Sequence, residues 1–204
     1  MSHQWAPAPG DTVVRYGLRT SSPWRTWCDL AAAGASESDL VILADAVRRE
    51  HGGRALEGRL REWGSRRGSR TLRAAMARSR DRVDSPMETR MRLLLVDGGP
   101  PEPLVNESIV DVDGTPLHRP DLSWAQWRVA VDYDGAHHDQ RDGEASVRAG
   151  HASDWRQRQD QSRRDLLGDR GWILRVLSSF DIFRRPEATV ELVRSALRRA
   201  GASV

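Results

Sequence analysis

The segment 128–134, which reads Arg-Val-Ala-Val-Asp-Tyr-Asp and is closed by Gly135, constrains this chain more than any other. Its apolar and polar positions alternate, with Val129, Val131 and Tyr133 on one side, which is the period of a strand and not of a helix. A strand with one apolar side has to join a sheet and be covered by another layer. The neighbouring segments predict both. Residues 108–112 alternate as a strand, Asp113-Gly114 is a hairpin turn signal, and a second strand is expected over about 117–124. Before them, Ser85, Pro86 and Glu88 form a capping box with proline in the first turn. Met87, Met91, Leu94 and Leu95 give that helix an apolar face, and Gly98-Gly99-Pro100-Pro101 ends it. After a polar, loop-like stretch over 139–153, a helix is expected over about 154–169, a buried strand over 172–177 and a closing helix over 186–200. The expected order is helix, three-strand meander, helix, strand, helix, an α/β sandwich with a mixed sheet.

The first half of the chain reads as helices. Ser22-Pro23 opens one through about Ala33, and Ser36 caps the next, in which Leu40, Leu43, Ala44 and Val47 form the apolar stripe. Two more are expected over about 54–63 and 69–79, separated by Gly64 to Gly68. This half has no catalytic spacing and reads as a small helical module that packs, positions or contacts nucleic acid. The division expected is a helical region over 1–80 and an α/β domain over 81–204.

Composition narrows the chemistry. All 32 basic side chains of the Lys plus Arg total are arginine, so a catalytic lysine is excluded. The single cysteine, Cys28, excludes an internal disulfide and a thiolate metal cage. No apolar run approaches the roughly 18 residues that span a bilayer, and the N-terminus lacks the basic start and apolar stretch of a secretory signal. A cytoplasmic protein is the expectation. Net charge is only +3, but arginines dominate 59–82 and 156–170, while 97–139 is rich in carboxylates. A basic frame around an acidic centre suits a protein that grips phosphates and holds cations between them.

The acidic centre has a pattern. Residues two apart on a strand point to one face, so Asp132 and Asp134 project together while Tyr133 faces the other way. If the preceding turn centres near Gln126-Trp127, Asp121 lies opposite Asp132 on the neighbouring strand. Carboxylates gathered in this way repel one another, and a hard divalent cation such as Mg²⁺ or Mn²⁺ removes the repulsion. Such an ion can activate water against a phosphodiester. Solvated acids at a sheet edge are the structural alternative, and for Glu88 the helix cap is one. Trp124 and Trp127 either stack on bases or pack, with packing the stronger reading.

Several segments recur in a familiar order: Ser85-Pro86-Met87-Glu88-Thr89-Arg90, Arg119-Pro120-Asp121-Leu122, Val131-Asp132-Tyr133-Asp134-Gly135-Ala136-His137-His138, Asp160-Gln161-Ser162-Arg163, Leu167, and Gly171-Trp172-Ile173-Leu174-Arg175. Together they resemble the nuclease domain of very short patch repair endonucleases and, more closely, actinobacterial proteins that share that domain, within the PD-(D/E)xK superfamily. The resemblance covers roughly residues 80–200, and 17–26 resemble the segment that precedes the domain in those relatives. It implies a restriction-endonuclease-like mixed sheet flanked by helices. It makes Glu88 the acid of the first helix, Asp121 the aspartate of the "PD" and Asp132 the acid of the (D/E)xK element, all three expected to hold the metal. Asp134 stands where the superfamily usually has lysine, and the repair endonucleases use a histidine there. His137 or His138 can take that role, with His138 preferred. Arg163 matches the family's helix arginine, and Arg163, Arg164 and Arg119 are the expected phosphate contacts.

The expected function is metal-dependent hydrolysis of DNA phosphodiesters by an endonuclease, with catalytic residues Glu88, Asp121, Asp132, Asp134 and His138. A homodimer is compatible with cutting both strands. The alternatives are an RNase or a nuclease toxin of a defence system, and a DNA-binding module whose nuclease site has decayed.

Overall fold

A computed structural model describes residues 7–135 and 165–204. The chain divides into two compact units, Met1–Pro86 and Met87–Val204.

The first unit is not purely helical, as its sequence pattern suggests. It opens with an antiparallel hairpin of β1 (Thr12–Arg15) and β2 (Leu18–Ser21), in which Thr12 faces Ser21 and Arg15 faces Leu18. Tyr16 and Gly17 form its turn at φ 52 and 77 degrees. Two successive left-handed residues match the right-handed twist of a two-stranded ribbon. Most of the hairpin's side chains are exposed, so burial imposes no alternation and leaves no strand period to read.

Helices follow where the capping signals place them. In α1 (Pro23–Ala33) the Ser22 hydroxyl accepts from the Arg25 N–H, and in α2 (Glu37–His51) the Ser36 hydroxyl accepts from the Asp39 N–H. Next come α3 (Gly53–Trp63) and α4 (Ser69–Arg78). Trp27 is fully buried, and its indole N–H donates to the Leu40 carbonyl at 2.8 Å, so the largest core side chain also ties α1 to α2. Cys28 lies beside it in the same interior; burial pushes its thiol up to about 12.

The second unit is mixed α/β. Helix α5 (Pro86–Asp97) precedes a four-stranded sheet in the order β3 (Leu104–Val105), β6 (Leu122–Trp124), β7 (Val129–Asp134) and β8 (Ile173–Ser178). The first three strands pair antiparallel, and β7 with β8 parallel, which makes the sheet mixed. β4 (Ile109–Val110) and β5 (Pro116–His118) form a separate hairpin around the Asp113-Gly114 turn. The three-strand meander expected over 108–134 is thereby corrected: 117–124 is not one strand but two, divided at Pro120. Proline has no N–H to give a ladder, so the chain leaves one sheet and enters the other there.

On one side of the sheet Leu122, Trp124, Val129 and Val131 pack against α5 and a closing helix, α7 (Pro186–Arg199). Ile109, Ala130, Leu167 and Leu174 pack on the other side. A short helix absent from the sequence reading, α6 (Ser179–Arg184), follows β8 directly and has its own capping box from Ser178 and Asp181. Trp124 is fully buried with its indole N–H on the Pro101 carbonyl at 2.7 Å, which excludes base stacking; Trp127 is partly buried against the same core. Gly98 ends α5 under α7, where a Cβ would come within 2.5 Å of both Val190 methyls. Among the described residues, no helix is long and apolar enough to cross a membrane.

Candidate active site

The sheet register decides where the acids meet. Leu122 faces Val131 and Trp124 faces Val129, so the ladder turns about Gln126-Trp127 and its next position sets Asp121 opposite Asp132. Directly opposed residues of an antiparallel pair have Cβ atoms about 4.5–5.5 Å apart. The Asp121 carboxylate reaches across and accepts from the Tyr133 N–H at 2.6 Å. Tyr133 itself turns its ring to the core, leaving Asp132 and Asp134 on the opposite face. Asp134 ends β7 beside Ser178.

Glu88 comes from the first turn of α5 and is buried at 6% exposure. One of its oxygens accepts from the Asn106 side-chain amide at 2.7 Å. Asn106 follows β3 in a left-handed conformation, φ 51 degrees, which asparagine tolerates better than most residues. Its backbone N–H donates to the Asp121 carbonyl at 3.0 Å, so one residue links Glu88 to Asp121. Arg119 is exposed, and its Nε donates to the Asn106 carbonyl at 3.1 Å. Its guanidinium therefore supports the Asn106 turn, in addition to any contact with phosphate.

Asn106 and His118 were missed by the sequence reading. The His118 Nε2 lies 2.8 and 3.1 Å from the two Asp132 oxygens, both side chains being mostly buried. The spacing of fourteen residues between these partners carries no local signal. Only the placement of β5 beside the sheet end brings them together. His137, His138, Asp160, Arg163 and Arg164 lie outside the described residues.

Burial pushes the Asp121 carboxyl up to about 7; the negative charges of Glu88 and Asp132 add to the rise, while the Tyr133 N–H and His118 oppose it. Near neutrality this group is therefore divided between its acid and its carboxylate. Among the described residues, no three His, Cys, Asp or Glu side chains converge as a metal-ligand group. The three-ligand set of Glu88, Asp121 and Asp132 is thus not assembled as such. Asn106 holds one Glu88 oxygen, and His118 faces both oxygens of Asp132. Each of the three acids thus has a partner within the fold, and Asp121 and Asp132 are the two that the strand register opposes. That pair fits Mg²⁺, which is commonly held by one or two carboxylates together with water and substrate phosphate. Comparison with family models, curated proteins and solved structures returns no match to this chain.

Proposed function

We propose that the second unit is a restriction-endonuclease-like, PD-(D/E)xK-type nuclease domain that hydrolyses DNA phosphodiesters with Mg²⁺ or Mn²⁺. The observation that carries the reading is the opposed pair Asp121 and Asp132 at a sheet end, with Asp121 titrating near 7. Two acids in that relation destabilise each other unless a cation or a proton intervenes. Asp121 and Asp132 would hold the ion, with Glu88 next to them. When bound, the ion supplies Lewis-acid polarisation of a phosphoryl oxygen and a cationic partner for the charge that develops there.

The protein's own groups supply the rest. The Tyr133 N–H fixes one Asp121 oxygen and leaves the other for the ion or for a proton. Asn106 holds Glu88 in the buried first turn of α5, so that its charge acts on Asp121 at short range. His118 places a basic side chain beside Asp132 in a chain without lysine. That is the electrostatic role left unfilled by Asp134, and His118 can also orient water through its ring.

The test is cleavage of duplex and single-stranded DNA by the full chain in Mg²⁺ or Mn²⁺. Cleavage is expected, with loss in Asp121→Asn and in Asp132→Asn and at least a tenfold fall in His118→Ala. One observation favours a second reading, a DNA-binding module with a decayed site: all three acids have donors within the fold. DNA binding that is indifferent to metal, without cleavage, would select that reading. Cleavage of RNA in place of DNA would assign the same site to an RNase. Failure to bind either polymer at low salt refutes all three.

A further inference from the structure

We propose that a cleft in the first unit binds a nucleoside phosphate, free or within a strand, on layered arginine–tryptophan stacks. The cleft encloses about 420 Å³ and is lined by Trp24 and Trp63 together with Arg25, Arg59 and Arg66. Small-ligand pockets commonly measure about 300–1,000 Å³. The Arg59 guanidinium carbon lies 4.9 Å from the Trp24 ring centre, and those of Arg66 and Arg25 lie 5.1 and 5.4 Å from that of Trp63.

The three arginines differ in what else holds them. Arg25 is a wall, tied to the buried Asp11 and to Asp29 at 2.9 Å each. Arg59 has one nitrogen on Glu62 at 3.0 Å and lies against the backbone of Gly10, where a Cβ would fall 2.5 Å from its Nη2. The Gly10 carbonyl in turn accepts from the Trp24 indole N–H at 2.9 Å, so Gly10, Arg59 and Trp24 form one fixed assembly. Arg66 is exposed, stacked on Trp63, and without an ion pair among the described residues. Its guanidinium carbon lies 5.1 Å from the Trp63 ring centre in the cleft wall, where Asp11 and Glu62 are already paired with Arg25 and Arg59.

A guanidinium held in this way offers two kinds of contact. Its flat side continues the indole as a stacking surface, and its edge is a fork that matches phosphate. A nucleoside phosphate uses both, whereas an acidic peptide uses only the fork. The surroundings favour a polyanion: residues 59–82 hold nine arginines against two acids. The inference does not depend on the carboxylate site of the second unit, and its test is arranged to keep the two apart.

The probe is a fluorescein-labelled thymidylate oligonucleotide, titrated into the full-length Asp121→Asn chain in chelator, where the second unit can neither hold metal nor cut. Arg66→Ala in that background is expected to weaken binding about tenfold, the loss of one stacked base. It should also flatten the dependence of log affinity on log salt by about 0.7, the share of one single-strand phosphate. Arg66→Lys should restore the salt slope but not the affinity, because lysine keeps the charge and loses the plane. Complete competition by dTMP assigns a free nucleotide as the occupant; competition by the strand alone assigns a strand segment. Arg66 is exposed, so an unchanged Tm is expected for both variants. Unchanged affinity and salt slope in Arg66→Ala would overturn the proposal, as would equal competition by polyglutamate.

Discussion

Replacing Asp121 by asparagine should change how stability depends on pH, and by a calculable amount. An acid whose folded pKa is raised binds more protons in the folded state than in the unfolded one. Its stabilising contribution is therefore complete below the ordinary value of 3.8 and is lost as pH rises through about 7. With the folded group raised to about 7, linkage amounts to roughly 3 kcal/mol lost between about pH 5 and about pH 8. The amide of Asp121→Asn keeps an oxygen to accept from the Tyr133 N–H but carries no charge to set against Glu88 and Asp132. Urea unfolding of the full chain, followed by circular dichroism at both pH values, should show the variant gaining on the parent by that amount at the higher pH. Mg²⁺ at about ten times its Kd should stabilise the parent by about 1.4 kcal/mol and leave the variant unmoved. Stability–pH curves that run parallel for parent and variant would refute the buried, mutually repelled carboxyl and with it the electrostatic case for a cation.

Three further outcomes follow from features outside that cluster. The Cys28 thiol, pushed up to about 12 by burial, should resist iodoacetamide near neutral pH and react stoichiometrically in urea; labelling of the folded chain would contradict its burial. Asp111 is held below the usual carboxylate range by its hydrogen bond from Arg170, with the two groups 2.6 Å apart. Asp111→Asn should thus be less stable than the parent near neutrality, and the difference should vanish as acid protonates the parent's carboxylate, which a pH series of Tm values reads directly. Gly98→Ala should cost roughly 1–3 kcal/mol by forcing a methyl against Val190, and adding Val190→Ala should recover part of that loss in a double-mutant cycle.

Local chemistry was readable from the sequence, and long-range chemistry was not. Ser22 and Ser36 announce α1 and α2 because a helix's first N–H groups are satisfied by the residue just before it. The opposition of Asp121 and Asp132 was legible for a similar reason: a short turn at Gln126-Trp127 fixes the register for the whole pair of strands. The β1–β2 hairpin escaped because Tyr16-Gly17 lacks the usual Asn-Gly or Asp-Gly signal and its strands bury little. β3 escaped because two residues carry no period. Asn106 and His118 escaped because their partners, Glu88 and Asp132, are fixed by how separate elements come together. An asparagine after a strand and a histidine before an arginine look like ordinary loop residues until the sheet is closed.

The parallel pairing of β7 with β8 also bears on how the second unit comes into being. Residues 129–134 find 173–178 only after about 40 intervening residues have been synthesised, whereas β6 and β7 meet across a turn of a few residues. Closing the longer loop sacrifices more chain entropy before any ladder contact rewards it. On the ribosome, the strand bearing Asp132 therefore spends an interval as a bare edge, open to pairing with the wrong strand. A nascent chain halted before Ile173 should leave β7 in that state. The short β6–β7 turn can oppose the two acids early, so what arrives late is the second neighbour, β8, that closes the other edge of the strand carrying Asp132.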